Sequence, residues 1–427
     1  MASDRSREVL LGLYRAALAA VDGERCVASQ LRAQPLNGPI WAVAIGKAAS
    51  AMLTGAFAVL GEQLQHALLV TKHGHVQGRA FPRTEILEAA HPVPDATSLA
   101  AGERLLDVLA AAPANISWLF LISGGASSLV EVLPTAMTLA DMQRVNQWLL
   151  ASGLPIEQMN AVRRRLSRIK GGRLRAYLGD RPARVLLISD VPGDDPAIIG
   201  SGLLHAASAD ADALPEQLPA WLNDLCAQTD AMSADVPAAH IDTAVVARLD
   251  QALDVVARGA AALGYRVVRA PERLHGDAVE AGRHIAASLI AGTPGVYLWG
   301  GETTVRLPDQ PGRGGRCQQL ALAAAQVLAE QPSICLLAAG TDGSDGPSNM
   351  MGNVMGDVVD DMAGDVAGAC VDGRTLARGT LDGLDAASAL QQADAGRFLE
   401  AAGDLLDTGP TGTNVTDVVI GLKTVEN

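Results

Sequence analysis

Residues 300–319, GGETTVRLPDQPGRGGRCQQ, gather five glycines, the carboxylate of Glu302, a Thr-Thr pair and three arginines (Arg306, Arg313, Arg316) between an apolar run and an Ala/Leu-rich stretch. Glycine lets backbone approach a ligand closely, and arginine offers a fixed fork of donors for phosphate or carboxylate. Between a strand and a helix N-terminus, such a loop reads as an anion site. Taken alone, it reads almost as well as a solvated hairpin with scattered charge.

Other apolar runs end in comparable residues. Gly46-Lys47 follows the run 41–45, at the mouth of an expected strand, where a lysine serves an active site as readily as it serves solvent. It is no Walker A loop: Trp41 stands where the first glycine belongs, and Ala48 follows the lysine. After 118–122 come Ser123, Gly124, Gly125, Ala126, Ser127 and Ser128. Their amides and hydroxyls suit a phosphate or carboxylate, and equally a close strand-to-helix turn capped by serine. In 160–173, NAVRRRLSRIKGGR, the arginines at 163, 164, 165, 168 and 173 read as an exposed basic helix face. Lys170 is less ordinary, because the Gly171-Gly172 pair after it is costly inside a helix.

After 185–189 stand Asp190, Asp194 and Asp195, which suit Mg²⁺ or a hydroxyl proton. A turn with an aspartate N-cap is the plainer reading for Asp194 or Asp195, leaving Asp190 the stronger catalytic candidate. Asp190 and Asp195 are the magnesium candidates. The run 333–338 leads into GTDGSDGP (340–347) with Thr341 and Asp342; it is no EF-hand, since Asn353 stands at the twelfth position. TGPTGTN (408–414) precedes a last expected strand, 415–422. No HExxH, nucleophile elbow or histidine pair on a helix face occurs, which argues against a hydrolase triad or a zinc site.

These residues need elements to hold them. Continuous apolar runs at 41–45, 67–71, 118–122, 185–189, 296–299 and 333–338 alternate with helical segments, which predicts a parallel, doubly wound α/β sheet. In such folds ligands sit beyond the carboxyl ends of strands, where the candidates above lie. Residues 206–239, rich in Ala, Asp and Pro with one short helix near Trp221, mark a boundary. The expected domains are 1–238 and 239–427.

With 33 Lys plus Arg against 47 Asp plus Glu, the net charge of −14 argues against nucleic acid or an anionic membrane as the main partner. Five scattered cysteines without CxxC spacing suggest reduced thiols in a cytoplasmic protein. The charged amphipathic N-terminus lacks the apolar core of a signal peptide, and no run is long enough to span a bilayer.

The blocks AIGKAA (44–49), TKHGH (71–75), HPVPD (91–95), SGGASSL (123–129), NAVRRRLSRIKGGRL (160–174), ISDVPGDDP (188–196), GGETTV (300–305), GRGGRCQQLAL (312–322), GTDGSDGP (340–347) and GPTGTNVTD (409–417) run over nearly the whole chain. Together and in this order they closely resemble the glycerate 2-kinase family without a P-loop. The resemblance implies a Rossmann-like N-terminal domain, a second, smaller α/β domain, and an active site in the cleft between them. It implies transfer of the γ-phosphoryl of ATP to the 2-hydroxyl of D-glycerate with Mg²⁺, in a monomer or homodimer. Lys47 and Arg316 match the family's basic active-site positions. Asp190 matches an acidic residue that orients or deprotonates the hydroxyl, or helps hold metal. The turn with Ser123, Gly124, Gly125, Ser127 and Ser128 would bind carboxylate or phosphate, with Lys170 in the same binding set. Glu302, Thr341 and Asp342 would line the facing side.

The chain departs from the family pattern at Cys317 and Gln319, where Asn and Glu are usual, at Arg165, at 247–249, and in a Met/Gly-rich insertion at 348–361. Two other readings stay open: a hydroxypyruvate reductase, for which no GxGxxG follows an expected strand, and a kinase-like sugar-acid binding protein without turnover. For a catalytic Arg316, Arg316→Ala is expected to remove activity while leaving the melting temperature nearly unchanged.

Overall fold

The computed structural model describes residues 2–76, 80–152, 154, 156–208, 212–228, 240–346 and 366–425. The chain forms two compact units: Gly23–Ala247, and Met1–Asp22 together with Arg248–Asn427.

The Gly23–Ala247 unit is built on a six-stranded sheet: β1 (Ile40–Ile45), β2 (Leu64–Lys72), β3 (Thr84–Ala89), β4 (Ser117–Ile122), β5 (Ala183–Ile188) and β6 (Ile241–Ala247). Their order is β3-β2-β1-β4-β5-β6, and every neighbouring pair is parallel. The central strands are almost wholly apolar because helices cover both faces of a parallel sheet. Trp118 and Phe120 are buried at the centre of this core. Strand order reverses between β1 and β4, so a crevice opens at their carboxyl ends. Ile45 pairs with both Val70 and Ile122, so β1 and β4 end level, while β2 runs on to Lys72.

The expected division after residue 238, itself outside the described residues, moves to Ala247. β6 pairs with β5 from Ile241 to Ala247 and completes the first sheet, so the chain leaves that unit only after it.

The other unit carries β7 (Val267–Arg269), β8 (Gly295–Gly301), β9 (Ile334–Gly340), β10 (Val366–Asp372), β11 (Leu405–Asp407) and β12 (Asp417–Lys423), in the order β11-β10-β9-β12-β8-β7. Here the expectation of parallel pairing for the runs 296–299 and 333–338 is corrected. They form β8 and β9, and the last strand, β12, lies between them and antiparallel to both. Among the described strands of this sheet, only β7 and β8 pair parallel.

The first helix, Ala2–Ala20, belongs to this second unit. It buries Leu10, Leu13, Tyr14 and Ala17, and the Tyr14 hydroxyl donates to the Gly340 carbonyl at 2.7 Å. Arg7 at its outer end donates to the Cys370 carbonyl and to Asp404, each at 2.9 Å. An amphipathic helix needs an apolar partner, and this one finds it on the carboxyl-terminal half. The five cysteines are free thiols. No helix among the described residues is long and apolar enough to cross a membrane. The 348–361 insertion lies outside the described residues.

Candidate active site

In the Gly23–Ala247 unit, the ends of β1 and β4 interlock. Gly46 takes a φ of 128°, and a Cβ there would stand 2.2 Å from Ser123 Oγ, so only glycine allows the two turns to meet. The Lys47 amide then donates to the Gly124 carbonyl at 3.0 Å, and the Ala48 amide to Ser123 Oγ at 3.0 Å. Ser123 is therefore a fully buried structural tie, not a ligand-facing hydroxyl as expected. Gly125, at φ 86°, leads into the short helix Ala126–Leu129; a Cβ on it would lie 3.3 Å from Lys47 Cγ and 3.1 Å from the His91 ring. Lys47, His91 and the serine turn thus share one wall at the switch point. Ser127 Oγ lies 2.7 Å from Ser201 Oγ, and Ser128 Oγ donates to the Gly125 carbonyl at 3.0 Å.

Lys170 reaches the same region from the segment after the helix Ile156–Arg165. Its ammonium lies 2.5 Å from Glu131 Oε2, and both residues are buried. Glu131 Oε1 accepts in addition from Ser167 Oγ at 2.6 Å and from the Val132 amide at 2.9 Å. This satisfies a buried carboxylate that would otherwise be expensive. Gly171 and Gly172 follow with φ of 63° and 81°, and their amides donate to the carbonyls of Ser201 and Gly202. That conformation explains the glycine pair.

The expected exposed basic face is not there. Arg164 is buried and paired with Asp212 at 2.5 Å, Arg165 Nε donates to the Cys226 carbonyl, and Arg168 reaches Tyr177 Oη. Arg163 donates to Asn146 Oδ1 at 3.3 Å, and burial lowers its pKa. Polar partners inside the unit outcompete water for these guanidinium groups.

A cavity of about 340 Å³ opens beside the serine turn. Ser127, Ser128, Glu131 and Lys170 line one part of it, and Leu133, Met137, Met142, Val145 and Leu166 another.

Asp190 stands half-buried just past β5, two strands along from Lys47. Asp195 Oδ1 accepts from the Ala197 amide at 2.9 Å, and the Ile199 amide donates to the Asp195 carbonyl, so Asp195 caps a turn. Both carboxylates stay magnesium candidates, since that ion usually takes only one or two carboxylates and draws its other ligands from phosphate and water.

The second unit assembles a different cluster. Gly301, Asp417 and Gly340 pair across β8, β12 and β9, which levels the three strand ends. Arg316, the first residue of the helix Arg316–Val327, grips Asp417 with Nε to Oδ2 at 2.6 Å and Nη2 to Oδ1 at 2.8 Å, while Nη1 reaches Glu302 Oε1 at 3.0 Å. Burial works against that guanidinium charge, but Asp417 overrides it and holds the pKa above the ordinary arginine value. Asp345 crosses to the same helix start, accepting from the amides of Cys317 at 2.9 Å and Gln318 at 2.8 Å. Complete burial pushes its pKa up to about 6, against the pull of Arg316 and the two amides.

Thr341 Oγ1 donates to the Thr416 carbonyl at 2.6 Å and accepts from the Val415 amide at 2.8 Å, fully buried, so it ties the last loop to β9 where a ligand contact was expected. Asp342 Oδ1 accepts from the Ser344 amide at 3.0 Å, and the Asp342 side chain is likewise buried. Of the other arginines in 300–319, Arg306 is exposed and Arg313 pairs with Glu400.

Asp417 and Asp345 were not singled out from sequence. Both lie in Gly/Thr-rich blocks where an aspartate reads as a turn residue, and only the fold brings them to Arg316. Cys317 points into the core, where burial raises its thiol pKa well above the ordinary value. Gln319 is buried with neither amide atom partnered among the described residues, and it forms part of the wall of a separate cavity of about 290 Å³.

Residues 9–221 match the family model DUF4147, a domain of unknown function, and residues 295–363 and 356–417 match the MOFRL family model. The D-glycerate 2-kinase of Thermotoga maritima is 33% identical over 97% of this chain and 98% of its own length. The glycerate 2-kinase of Pyrococcus horikoshii is 31% identical, over 98% and 97%. A protein of Agrobacterium vitis named a putative hydroxypyruvate reductase is 38% identical, over 88% and 97%. The crystal structure of glycerate kinase from Thermotoga maritima superposes with a TM-score of 0.81 at 31% identity, covering 99% of this chain and 100% of that one.

Proposed function

The chain belongs to the glycerate 2-kinase family, and from that membership and the two strand-end clusters we propose that it transfers the γ-phosphoryl of ATP to the 2-hydroxyl of D-glycerate. The observation that carries the reading is the locked pair of turns at the switch point, which sets Lys47 beside a Gly/Ser turn at the carboxyl edge of a parallel sheet. Phosphoryl transfer asks a protein for positioning and neutralisation of charge more than for covalent chemistry. A lysine fixed at that edge supplies cationic charge, and the Ser127 hydroxyl beside it, which shares one hydrogen bond with Ser201, supplies a neutral polar group for a phosphate or carboxylate.

Asp190 accepts the proton of the attacking hydroxyl or helps hold Mg²⁺; the ion, when bound, neutralises phosphate oxygens. Arg316 is the cationic group of the second unit. Its Asp417 clasp fixes the guanidinium plane, so little side-chain entropy is lost when a phosphate oxygen arrives. Lys170 keeps its place in the binding set, anchored by Glu131.

The hydroxypyruvate reductase reading has the name of the Agrobacterium relative in its favour. It needs a dinucleotide fingerprint, and none of the strand ends described above carries GxGxxG. One assay separates the readings. Purified protein with D-glycerate, ATP and Mg²⁺ is expected to release ADP and form 2-phosphoglycerate. Oxidation of NADH or NADPH by hydroxypyruvate without ADP release would transfer the assignment to the reductase. Glycerate binding with neither turnover would leave a binding protein.

A further inference from the structure

The cavity beside the serine turn has two unlike ends. At one, close to Lys47 and Gly125, lie the Ser127 and Ser128 hydroxyls, the latter donating to the Gly125 carbonyl, and the Lys170 ammonium paired with the Glu131 carboxylate. At the other, Met137, Met142, Val145 and Leu166 form an apolar wall, edged by Asn146 and Arg163. These four side chains share a small core with Leu149, Val162 and Leu222 on their far side, while their near side faces the cavity.

D-glycerate carries oxygen on every carbon and has no surface to match such a wall. Leaving it wet forfeits about 25 cal/mol for each Å² of apolar area that an apolar ligand would cover. A nucleobase has what the wall lacks a partner for: two apolar faces and a polar edge. Methionine is the side chain that best adapts to a flat ring, and at about 340 Å³ the cavity lies within the range that encloses small organic ligands.

We propose that the apolar end of this cavity receives the base of the nucleotide, with the phosphates running to the Ser127, Ser128 and Lys170 end beside Lys47. This rests on the kinase reading and deepens it, because it assigns the Gly/Ser turn to phosphate and not to the hydroxy-acid carboxylate. Asn146 and Arg163, linked to each other, meet the polar edge of the base.

The test fills the slot with Val145→Trp and alters its edge with Asn146→Leu, in the full chain. The KM for ATP is expected to rise roughly tenfold or more in Val145→Trp and several-fold in Asn146→Leu, with the KM for D-glycerate within about twofold of the parent in both. Calorimetry with adenosine, which carries no phosphate, should give binding to the parent and none to Val145→Trp. Asn146 is only half-buried, so its variant decides the matter if the tryptophan prevents folding. A rise in the KM for D-glycerate alone would assign the slot to the hydroxy acid and overturn the proposal, as would adenosine binding unchanged by both substitutions. If adenosine binding is lost as expected while the parent shows no ADP release, the slot stands and the kinase reading falls.

Discussion

Arg316, proposed to act in turnover, is also held in the fold. From sequence alone, Arg316→Ala should abolish activity and spare stability. The bidentate clasp on Asp417, a buried carboxylate, changes the second half of that expectation. Removing the arginine strands the carboxylate, which costs on the order of 2–4 kcal/mol. The alanine variant should therefore lose both turnover and several degrees of melting temperature. Pairing it with Asp417→Asn should restore most of the melting temperature and none of the turnover. Recovery of activity in the double variant would show that Arg316 serves the fold alone.

Asp345 gives a pH signature at the same scale. Its folded pKa of about 6 exceeds the ordinary aspartate value near 4, so the folded chain holds this proton more tightly than the unfolded chain. Stability from this group is present at low pH and is lost as pH rises from about 4 through 6. Asp345→Asn removes that slope. The stability of the parent relative to the variant should fall by on the order of 2 kcal/mol across that window, read by denaturant titration at several pH values.

Elements fix where such residues point. The turns after β1 and β4 meet only because Gly46 has no side chain, its Cβ position being occupied by Ser123. Gly46→Ala must push these turns apart and adopt an unfavourable φ, at a cost on the order of 2–3 kcal/mol. It should lower kcat by displacing Lys47 as well as lowering the melting temperature. Unchanged kcat at a temperature where the variant is folded would mean that the turn need not be held this tightly. The strands carrying these turns were legible as continuous apolar runs. β3, β7 and β11 were not, because these edge strands are largely half-exposed and mixed in pattern, β7 and β11 being only 3 residues each, and β6 and β10 fell beside boundary and insertion segments. The arginines of 160–173 were misjudged because their charge gives no hint of the carbonyls and carboxylates that tertiary structure brings to them.

At the scale of the whole molecule, the first helix closes the core of the carboxyl-terminal unit. Deleting residues 2–20 uncovers the partners of Leu10, Leu13, Tyr14 and Ala17, which are almost fully buried, and forfeits on the order of 5 kcal/mol. Hydrogen exchange in the deletion variant should speed up in β9 and β12 while β1, β4 and β5 keep their protection; the reverse pattern would contradict the division at Asp22 and Ala247. The sequence by itself determined the α/β class, the parallel first sheet and the family, because these follow from local apolar periodicity and from motifs contiguous in the chain. It also placed Lys47, Asp190 and Arg316 at strand ends and helix starts, since a polar residue after an apolar run has nowhere else to lie. Tertiary structure alone decided that β12 enters between β8 and β9, that Asp417 and Asp345 converge on Arg316, and that Ser123 and Thr341 are spent as structural ties. Each of those depends on contacts between residues far apart in the chain, whose free energy no local window contains.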